Sequence, residues 1–112
     1  MTAVSGASVT VIIDGDVFTT AQTDENGVAR IYSLPRNKDA EIQLRKNGYI
    51  PLFIVINNRS SYFPSTLKIT LIDNETGQTV YTETKPIQRG SEVQFSYSIQ
   101  GYQTIAGSIL LK

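Results

Sequence analysis

Apolar and polar side chains alternate along most of this chain, and that period of two constrains the fold more than any other feature. The alternating apolar residues are Val9, Val11 and Ile13; Ile42 and Leu44; Leu67, Ile69 and Leu71; and Val93, Phe95, Tyr97 and Ile99. Successive side chains of a strand point to opposite faces, so each run predicts a strand with one buried face. Val, Ile, Thr, Tyr and Phe dominate the runs and favour strands. No segment combines helical spacing with good helix formers, so we expect almost no helix.

Clusters of turn-forming residues separate these runs. They lie at 14–15, 24–27, 35–39, 47–48, 57–60, 73–77 and 89–90. A spacing of about 8 to 12 residues between turns is typical of an antiparallel sandwich or barrel. The predicted strands are 8–13, 16–22, 28–33, 40–46, 50–57, 66–72, 79–85, 92–99 and 104–111. We therefore predict one all-β domain over residues 1–112, an antiparallel Ig-like or transthyretin-like β-sandwich with about seven to nine strands in two sheets.

Charge and hydropathy exclude two classes of partner. The chain has 10 basic and 10 acidic residues, and this zero net charge offers no attraction to a polyanion. We expect no nucleic-acid partner. The longest apolar stretch is 50–56, which is far shorter than the roughly 20 residues of a spanning helix, so no membrane insertion is expected. The first residues lack the basic segment and apolar run of a signal peptide, and we expect none.

The inventory of reactive side chains argues against catalysis. The chain has no His and no Cys, which removes the Ser-His and Cys-His designs and the best ligands for zinc and copper. Two carboxylates could still perform glycosidase chemistry, but no pair lies in an apolar setting that would raise a pKa. We expect no enzymatic activity and no cofactor.

Calcium is the metal that the remaining side chains could bind. The candidate ligands are Asp14, Asp16, Asp24 and Asn26, with a second acidic cluster at 73–75. Calcium needs 6 to 8 converging oxygens, and the D-x-[DN]-x-[DN]-G loop is absent. A turn explains the segment "TDENGVARI" at 23–31 better, because Asp24 can accept a hydrogen bond from the amide two residues on, while Asn26 and Gly27 tolerate a positive φ. We predict that the segment closes a hairpin and holds no metal.

The segment 50–56 differs from the other runs because apolar side chains fall on both faces of one strand. Either the strand is covered on both faces, or one face contacts another molecule. Burial on both faces is favoured, because monomers seldom expose large apolar patches. If one face forms an interface, the candidate residues are Leu52, Phe53, Ile54, Val55, Tyr62 and Phe63.

Aromatic residues elsewhere are assigned to packing. Tyr97 alternates with Phe95 and Ile99 and is predicted to lie in the core, whereas Tyr102 follows Gly101 and is predicted to cap a loop. Exposed aromatics can stack on sugars, but the chain has no tryptophan, which weakens that interpretation.

Three motifs in the first half resemble a known family. They are Ala7-Ser8-Val9-Thr10-Val11, Thr23-Asp24-Glu25-Asn26-Gly27 and Lys46-Asn47-Gly48-Tyr49-Ile50-Pro51. Their order over residues 6–57 resembles the carboxypeptidase regulatory-like and bacterial Ig-like domains, including those of gingipain-type proteases. No first strand of the V-x-G-x-V type precedes Ala7, and no family landmark follows residue 57. The resemblance implies a β-sandwich accessory module without catalysis, of the kind found on secreted, cell-surface or viral proteins.

These observations predict a structural or assembly module that acts by protein contacts, with edge-strand pairing or a terminal arm as the mechanism. The leading hypothesis is a component or decoration of a larger particle such as a phage virion, in its capsid, tail or fibre. The expected partners are further copies of the chain or neighbouring structural subunits, in a homo- or hetero-oligomer. The alternative is a spacer or adhesin module of a secreted or cell-surface bacterial protein, which could bind a ligand or calcium.

Overall fold

A computed structural model describes residues 3–32, 38–57, 65–87 and 92–111 of the chain. The described residues contain no helix and form nine strands. The strands are β1 (Ser8–Ile13), β2 (Asp16–Gln22), β3 (Val28–Ile31), β4 (Ala40–Arg45), β5 (Leu52–Asn57), β6 (Ser65–Ile72), β7 (Thr79–Ile87), β8 (Glu92–Phe95) and β9 (Gly107–Leu111). The all-β prediction is confirmed. Among these residues there is no helix that is long and apolar enough to cross a bilayer.

The larger sheet has six strands in the order β2-β1-β4-β5-β6-β7, and every neighbouring pair is antiparallel. β1 and β2 form a hairpin through Asp14 and Gly15. The φ angles of these two residues are 54° and 82°. Positive φ at both central positions is the requirement of a type I′ turn, whose twist matches that of the flanking strands.

The smaller sheet has three strands in the order β3-β9-β8. β8 and β9 are antiparallel, but β3 and β9 run parallel, with Val28 opposite Ser108 and Ile31 opposite Leu111. The prediction of purely antiparallel pairing is therefore wrong for this pair. The two partners lie almost 80 residues apart in the chain, and alternation within each strand does not report which strand lies beside it.

The core lies between the two sheets and is almost wholly aliphatic. Alternate residues of β1, β4, β5 and β6 supply one side of it, and the smaller sheet supplies the other. Its largest fully buried side chains include Phe95, Ile31, Ile42, Leu44, Leu52, Ile54, Leu67, Ile69, Leu71, Ile105 and Ile109. The six-stranded sheet therefore buries the face that carries the alternating apolar residues, and its other face points away from the core.

The segment 23–27 is a turn, but it does not close a hairpin. It leads from β2 in the larger sheet to β3 in the smaller sheet, so the predicted hairpin is wrong and the segment forms a corner of the sandwich. Gly27 has the expected positive φ of 75°, whereas Asn26 does not have a positive φ.

β8 is shorter than the predicted strand 92–99 and ends at Phe95. Its partner β9 begins at Gly107, which is paired with Phe95, so residues 96–99 lie beyond the described pairing of β8 with β9. The residues before β9 contact the larger sheet instead, where the amide of Ile50 donates to the carbonyl of Gln103 at 3.0 Å.

Candidate functional site

Asp24 organises the corner between β2 and β3. Its carboxylate Oδ1 accepts hydrogen bonds from the amides of Asn26 at 2.8 Å and Val28 at 3.0 Å, and Arg30 donates to Oδ2 at 3.2 Å. The amides of Val28 and then Asn26, more than the Arg30 guanidinium, hold the pKa of Asp24 below its usual value. The turn interpretation is confirmed, because the carboxylate oxygens are engaged by the protein's own donors.

Thr23, beside it, has a structural function that sequence reasoning did not assign. Its hydroxyl is buried, accepts from the amide of Ala7 at 2.9 Å and donates to the carbonyl of Val4 at 2.8 Å. The amide of Val4 in turn donates to the carbonyl of Ala106 at 2.8 Å. Thr23 therefore fastens the N-terminal segment across the end of the sandwich.

The calcium candidates do not converge. Asp14 and Asp16 lie at the start of β2, and Asp24 and Asn26 follow its end, so a strand of seven residues, roughly 20 Å long, separates the two pairs. The Asp14 carboxylate forms an ion pair with Lys38 at 2.6 Å. Among the described residues there is no group of three or more His, Cys, Asp or Glu that could hold a metal ion.

The second acidic cluster is also a turn, between β6 and β7. Asp73 Oδ1 accepts from the amides of Glu75 at 2.8 Å and Thr76 at 3.3 Å, and the Tyr102 hydroxyl donates to Oδ2 at 2.7 Å. That hydroxyl is the main cause of the lowered pKa of Asp73, and the same bond raises the pKa of Tyr102. The assignment of Tyr102 as a loop cap is confirmed.

Tyr97 joins the irregular segment after β8 to the inner face of β7. Its ring lies against that of Tyr81 with a centroid separation of 4.6 Å, and its hydroxyl donates to Glu83 at 2.6 Å. Burial, and then the hydrogen bond to Glu83, raise the pKa of Tyr97. The predicted core position is half-buried, and its polar end is satisfied by a carboxylate.

The two faces of β5 have different environments. Leu52 and Ile54 are 0 % and 1 % exposed in the core, so these two interface candidates present no surface to a partner. Phe53 is half-buried and Val55 is 41 % exposed on the opposite face. The preferred prediction of burial on both faces is wrong, because the three-stranded sheet covers only one face of β5. Tyr62 and Phe63 lie outside the described residues.

Strand register shows which side chains surround Phe53 and Val55. Directly opposite residues of an antiparallel sheet share a face, so two rows can be followed across the sheet. One row contains Thr20, Thr10, Gln43, Phe53, Thr70 and Thr82, and the other contains Val17, Ile12, Glu41, Val55, Lys68 and Thr84. We call these two rows the outer face. The two rows are rich in threonine and apolar residues and carry one acidic and one basic side chain, Glu41 and Lys68, and Arg45 lies beside them on the same face.

Several features of the outer face favour contact with another molecule. Val17 is 62 % exposed and Val55 is 41 % exposed, and Ile12 lies between their strands. The guanidinium of Arg45 lies over the Phe53 ring at 5.3 Å from its centroid. Exposed apolar side chains together with an arginine that stacks on an aromatic ring are typical of protein interfaces. Sequence reasoning missed Ile12 and Val17, although both depart from the alternation of their strands.

The free edges of the larger sheet carry features that discourage strand addition. β7 contains Pro86, directs Glu83 and Lys85 towards the inner face, and has an irregular register near Ile72. β2 has a register shift opposite Val11 and Ile12 that leaves Phe18 as the additional residue. Proline, inward-pointing charges and bulges are the common means of blocking edge-to-edge pairing.

A shallow cleft of about 550 Å³ lies beside the turn between β4 and β5. Arg45 and Lys46 line it together with Gly6, Ser8 and Asn74. The Lys46 ammonium donates to the carbonyl of Ser5, and Arg45 is stacked on Phe53. Both cations therefore already have partners within the protein, and the outer face is the stronger candidate.

Comparisons of this chain with protein-family models, with curated proteins and with solved structures find no match.

Proposed function

We propose that this protein is a non-catalytic structural subunit that acts by protein contacts, and that it forms part of a larger particle such as a phage virion. Residues 6–57 resemble the carboxypeptidase regulatory-like and bacterial Ig-like domains, and we propose that the chain is a module of that type. The outer face is the surface through which it assembles.

The observation that carries the proposal is the contrast between the two faces of the six-stranded sheet. One face is closed by the smaller sheet, while Val55 and Val17 remain 41 % and 62 % exposed on the other. Exposed apolar surface on a sheet costs free energy in water, and contact with a partner recovers it at roughly 25 cal/mol per Å². A surface-acting module is the function that this arrangement supports.

The polar side chains support the same proposal. Asp24 and Asp73 are engaged in turns, and Tyr97 and Glu83 are bonded to each other. The chain contains no His or Cys that could act as a general base or nucleophile at neutral pH. These features support a role that depends on contact surfaces.

The edges of the sheet favour the face over the edge as the assembly surface. Edge-strand pairing requires a row of accessible backbone groups, and Pro86 and the bulge at Phe18 interrupt that row on β7 and β2. We therefore propose face-to-face contact in place of the edge-strand pairing suggested by the sequence.

The test uses tagged copies of the chain produced in its native source beside the untagged protein. Particles are separated by density-gradient sedimentation, and the tag is quantified in each fraction. Tagged wild-type protein is expected to sediment with a large particle. The variant Val55→Asp places a charge at the centre of the outer face and is expected to remain in the light fractions. Asn47→Asp adds the same charge at an exposed turn away from that face and serves as the matched control.

Circular dichroism of the purified variants establishes that each is folded. The proposal is overturned if wild-type protein remains in the light fractions, or if folded Val55→Asp enters the particle as efficiently as the wild type.

A further inference from the structure

We propose that the outer face of one copy packs on the outer face of a second copy around a two-fold axis that runs along β5. In this homodimer Val55 faces Val55 of the other copy, and Glu41 faces Lys68 of the other copy in two equivalent ion pairs. The inference rests on the proposed function, because it names the partner of the same face.

The register of the sheet places opposite charges symmetrically about β5. Val55 is paired with Glu41 on β4 and with Lys68 on β6. Neighbouring strands are about 4.8 Å apart, so the acid lies about 4.8 Å to one side of β5 and the base about 4.8 Å to the other. β5 therefore divides this row into an acidic half and a basic half.

A two-fold axis along β5 exchanges these halves. Rotation about an axis in the plane of the interface turns the second copy over and carries its Glu41 to the side where Lys68 of the first copy lies. The same operation places Lys68 of the second copy over Glu41 of the first. An isologous interface makes every contact twice, so one complementary pair in the sequence supplies two ion pairs in the dimer.

The neighbouring row obeys the same symmetry. Phe53 is paired with Gln43 on one side and with Thr70 on the other. The axis brings the Phe53 rings of the two copies to the same part of the interface, each with the Arg45 guanidinium of its own copy over it at 5.3 Å from the centroid. It also places the Gln43 amide over the Thr70 hydroxyl, where each can donate to the other. The centre of the interface is then formed by Val55, Phe53 and Arg45, and aromatic residues and arginine are enriched in specific interfaces.

Both charged side chains are available for this contact. Within the described part of the chain the ion pairs are Arg30 with Asp24 and Lys38 with Asp14, and neither involves Glu41 or Lys68. The chain has zero net charge, so two copies approach without overall repulsion. Association is accordingly governed by the local pattern of charge.

The area of the face fits a dimer of modest affinity. An axis along β5 leaves β2 outside the contact, because three strands lie on one side of β5 and two on the other. The remaining five strands of about six residues cover roughly 400 to 500 Å² in plan, or about 800 to 1,000 Å² for two copies before the relief of the side chains is added. Specific interfaces begin at about 1,200 Å². We therefore expect dissociation constants on the order of micromolar, so the dimer forms at high protein concentration and separates on dilution.

The test measures association of the purified chain by sedimentation equilibrium from about 1 to 500 μM. Wild-type protein is expected to form a dimer. Glu41→Lys and Lys68→Glu each replace two attractive pairs by two repulsive pairs, and each is expected to weaken the homodimer at least about tenfold. The doubly exchanged variant, Glu41→Lys with Lys68→Glu, restores both pairs and is expected to dimerise like the wild type.

Mixing the two single variants tests the symmetry itself. A heterodimer of Glu41→Lys with Lys68→Glu has two attractive pairs, so the mixture is expected to dimerise at least about tenfold more tightly than either component alone. Glu25→Lys is the matched control, because it changes the net charge by the same amount at an exposed corner away from the outer face. It is expected to remain a homodimer and to form no preferred heterodimer with Lys68→Glu.

Three results would overturn the inference: a wild-type chain that stays monomeric at every concentration, a dimer that neither single charge reversal weakens, and single variants that do not associate when mixed. All variants are compared by circular dichroism, so loss of folding is recognised separately. A monomeric chain that still enters particles in the gradient experiment would leave the proposed function standing and remove the homodimer alone.

Discussion

Thr23 shows how a single buried hydroxyl can secure a chain terminus. Its oxygen accepts from Ala7 and its hydrogen is donated to Val4, so one side chain satisfies two backbone groups from the same segment. The amide of Ala7 and the carbonyl of Val4 lie before β1, so strand pairing does not supply either of them with a hydrogen bond in place of the one to Thr23. A buried backbone group without a partner costs free energy, and this cost makes the residue type at position 23 important.

Thr23→Val is expected to lower the free energy of unfolding by about 2 kcal/mol, because the isosteric side chain leaves the amide of Ala7 and the carbonyl of Val4 unsatisfied. Urea denaturation followed by circular dichroism measures the loss. Thr23→Ser retains the hydroxyl and should stay close to wild type. Thr20→Val on exposed β2 controls for the change of residue type and should alter stability by less than about 0.5 kcal/mol. Equal effects at positions 20 and 23 would contradict this account.

Asp24 makes the stability of the corner depend on pH. Hydrogen bonds from the amides of Val28 and Asn26 lower its pKa from the ordinary value of 3.8. Because the folded state has the lower pKa, the carboxylate stabilises the protein fully above pH 3.8 and loses this effect as the pH falls through the folded pKa.

The melting temperature of Asp24→Ala should therefore lie below that of wild type at pH 6, and the difference between the two should narrow below pH 3.8. Glu25→Ala, at the same corner, should show no such gap. A gap that is as large at pH 2.5 as at pH 6 would refute the assigned role of the charge.

Among the elements, the parallel pairing of β3 and β9 depends on a close approach of backbone to backbone. A Cβ atom added to Gly107 would lie 2.2 Å from the carbonyl oxygen of Gly27, and the amide of Ser108 donates to that same oxygen at 2.9 Å. Position 107 therefore requires glycine because a side chain would clash with the Gly27 backbone, whereas the turn glycines are favoured because their φ angles are positive. The hydrogen bond from Ser108 to Gly27 joins the starts of β9 and β3, and it can form because Gly107 has no side chain.

Gly107→Ala is expected to destabilise the protein by about 3 kcal/mol, because the backbone of β9 must move away from Gly27. The measurement is urea denaturation, together with hydrogen exchange of the Ser108 amide, which should lose protection. Gly101→Ala is the matched control, since its Cβ meets open space and only its φ of +89° is unfavourable. It should cost about 1 kcal/mol and leave Ser108 protected. An unchanged Ser108 amide in folded Gly107→Ala would show that the close approach is not needed.

The strands were predictable from sequence, whereas their neighbours were not. Alternation and turn residues predicted β1 and β2 with the observed bounds, because side-chain period and turn chemistry are local properties. The parallel partner of β3 is almost 80 residues distant, and its identity depends on how the whole chain folds. The end of β8 at Phe95 likewise depends on where β9 begins.

The candidate site was predictable to the same extent. The apolar segment of β5 drew attention to Phe53 and Val55, but sequence alone could not separate them from the buried Leu52 and Ile54, because both phases of the strand are apolar. Glu41 and Lys68 join the site only through register across β4, β5 and β6. A cross-strand neighbour is a tertiary property, and periodicity along one strand does not contain it.

In the whole molecule, two sheets of unequal size share one core. The six-stranded sheet has strands of six to nine residues, whereas the smaller sheet has strands of four and five residues. Within the described part of the smaller sheet, β8 pairs with β9 alone. Two hydrogen bonds connect β8 and the residues after it to β7 of the larger sheet. The Tyr97 hydroxyl donates to Glu83, and the Lys85 ammonium donates to the carbonyl of Gln94 at 3.5 Å. In the described part of the chain β8 has one strand neighbour, whereas β4 and β5 each have two, and this difference implies that β8 opens at a lower free energy.

Native-state hydrogen exchange is therefore expected to divide the molecule into two cooperative units. Hydrogen-bonded amides of β4 and β5 should exchange only through global unfolding, whereas those between β8 and β9 should exchange through an opening at least about 1 kcal/mol lower in free energy. Tyr97→Phe removes the bond to Glu83 and should lower the opening free energy of β8 further, with less effect on β5. A single free energy and a single denaturant dependence for all protected amides would refute this division. The expected pattern would leave the six-stranded sheet, and with it the outer face, intact while the smaller sheet opens, because the register that positions Glu41, Val55 and Lys68 lies wholly within the more stable unit.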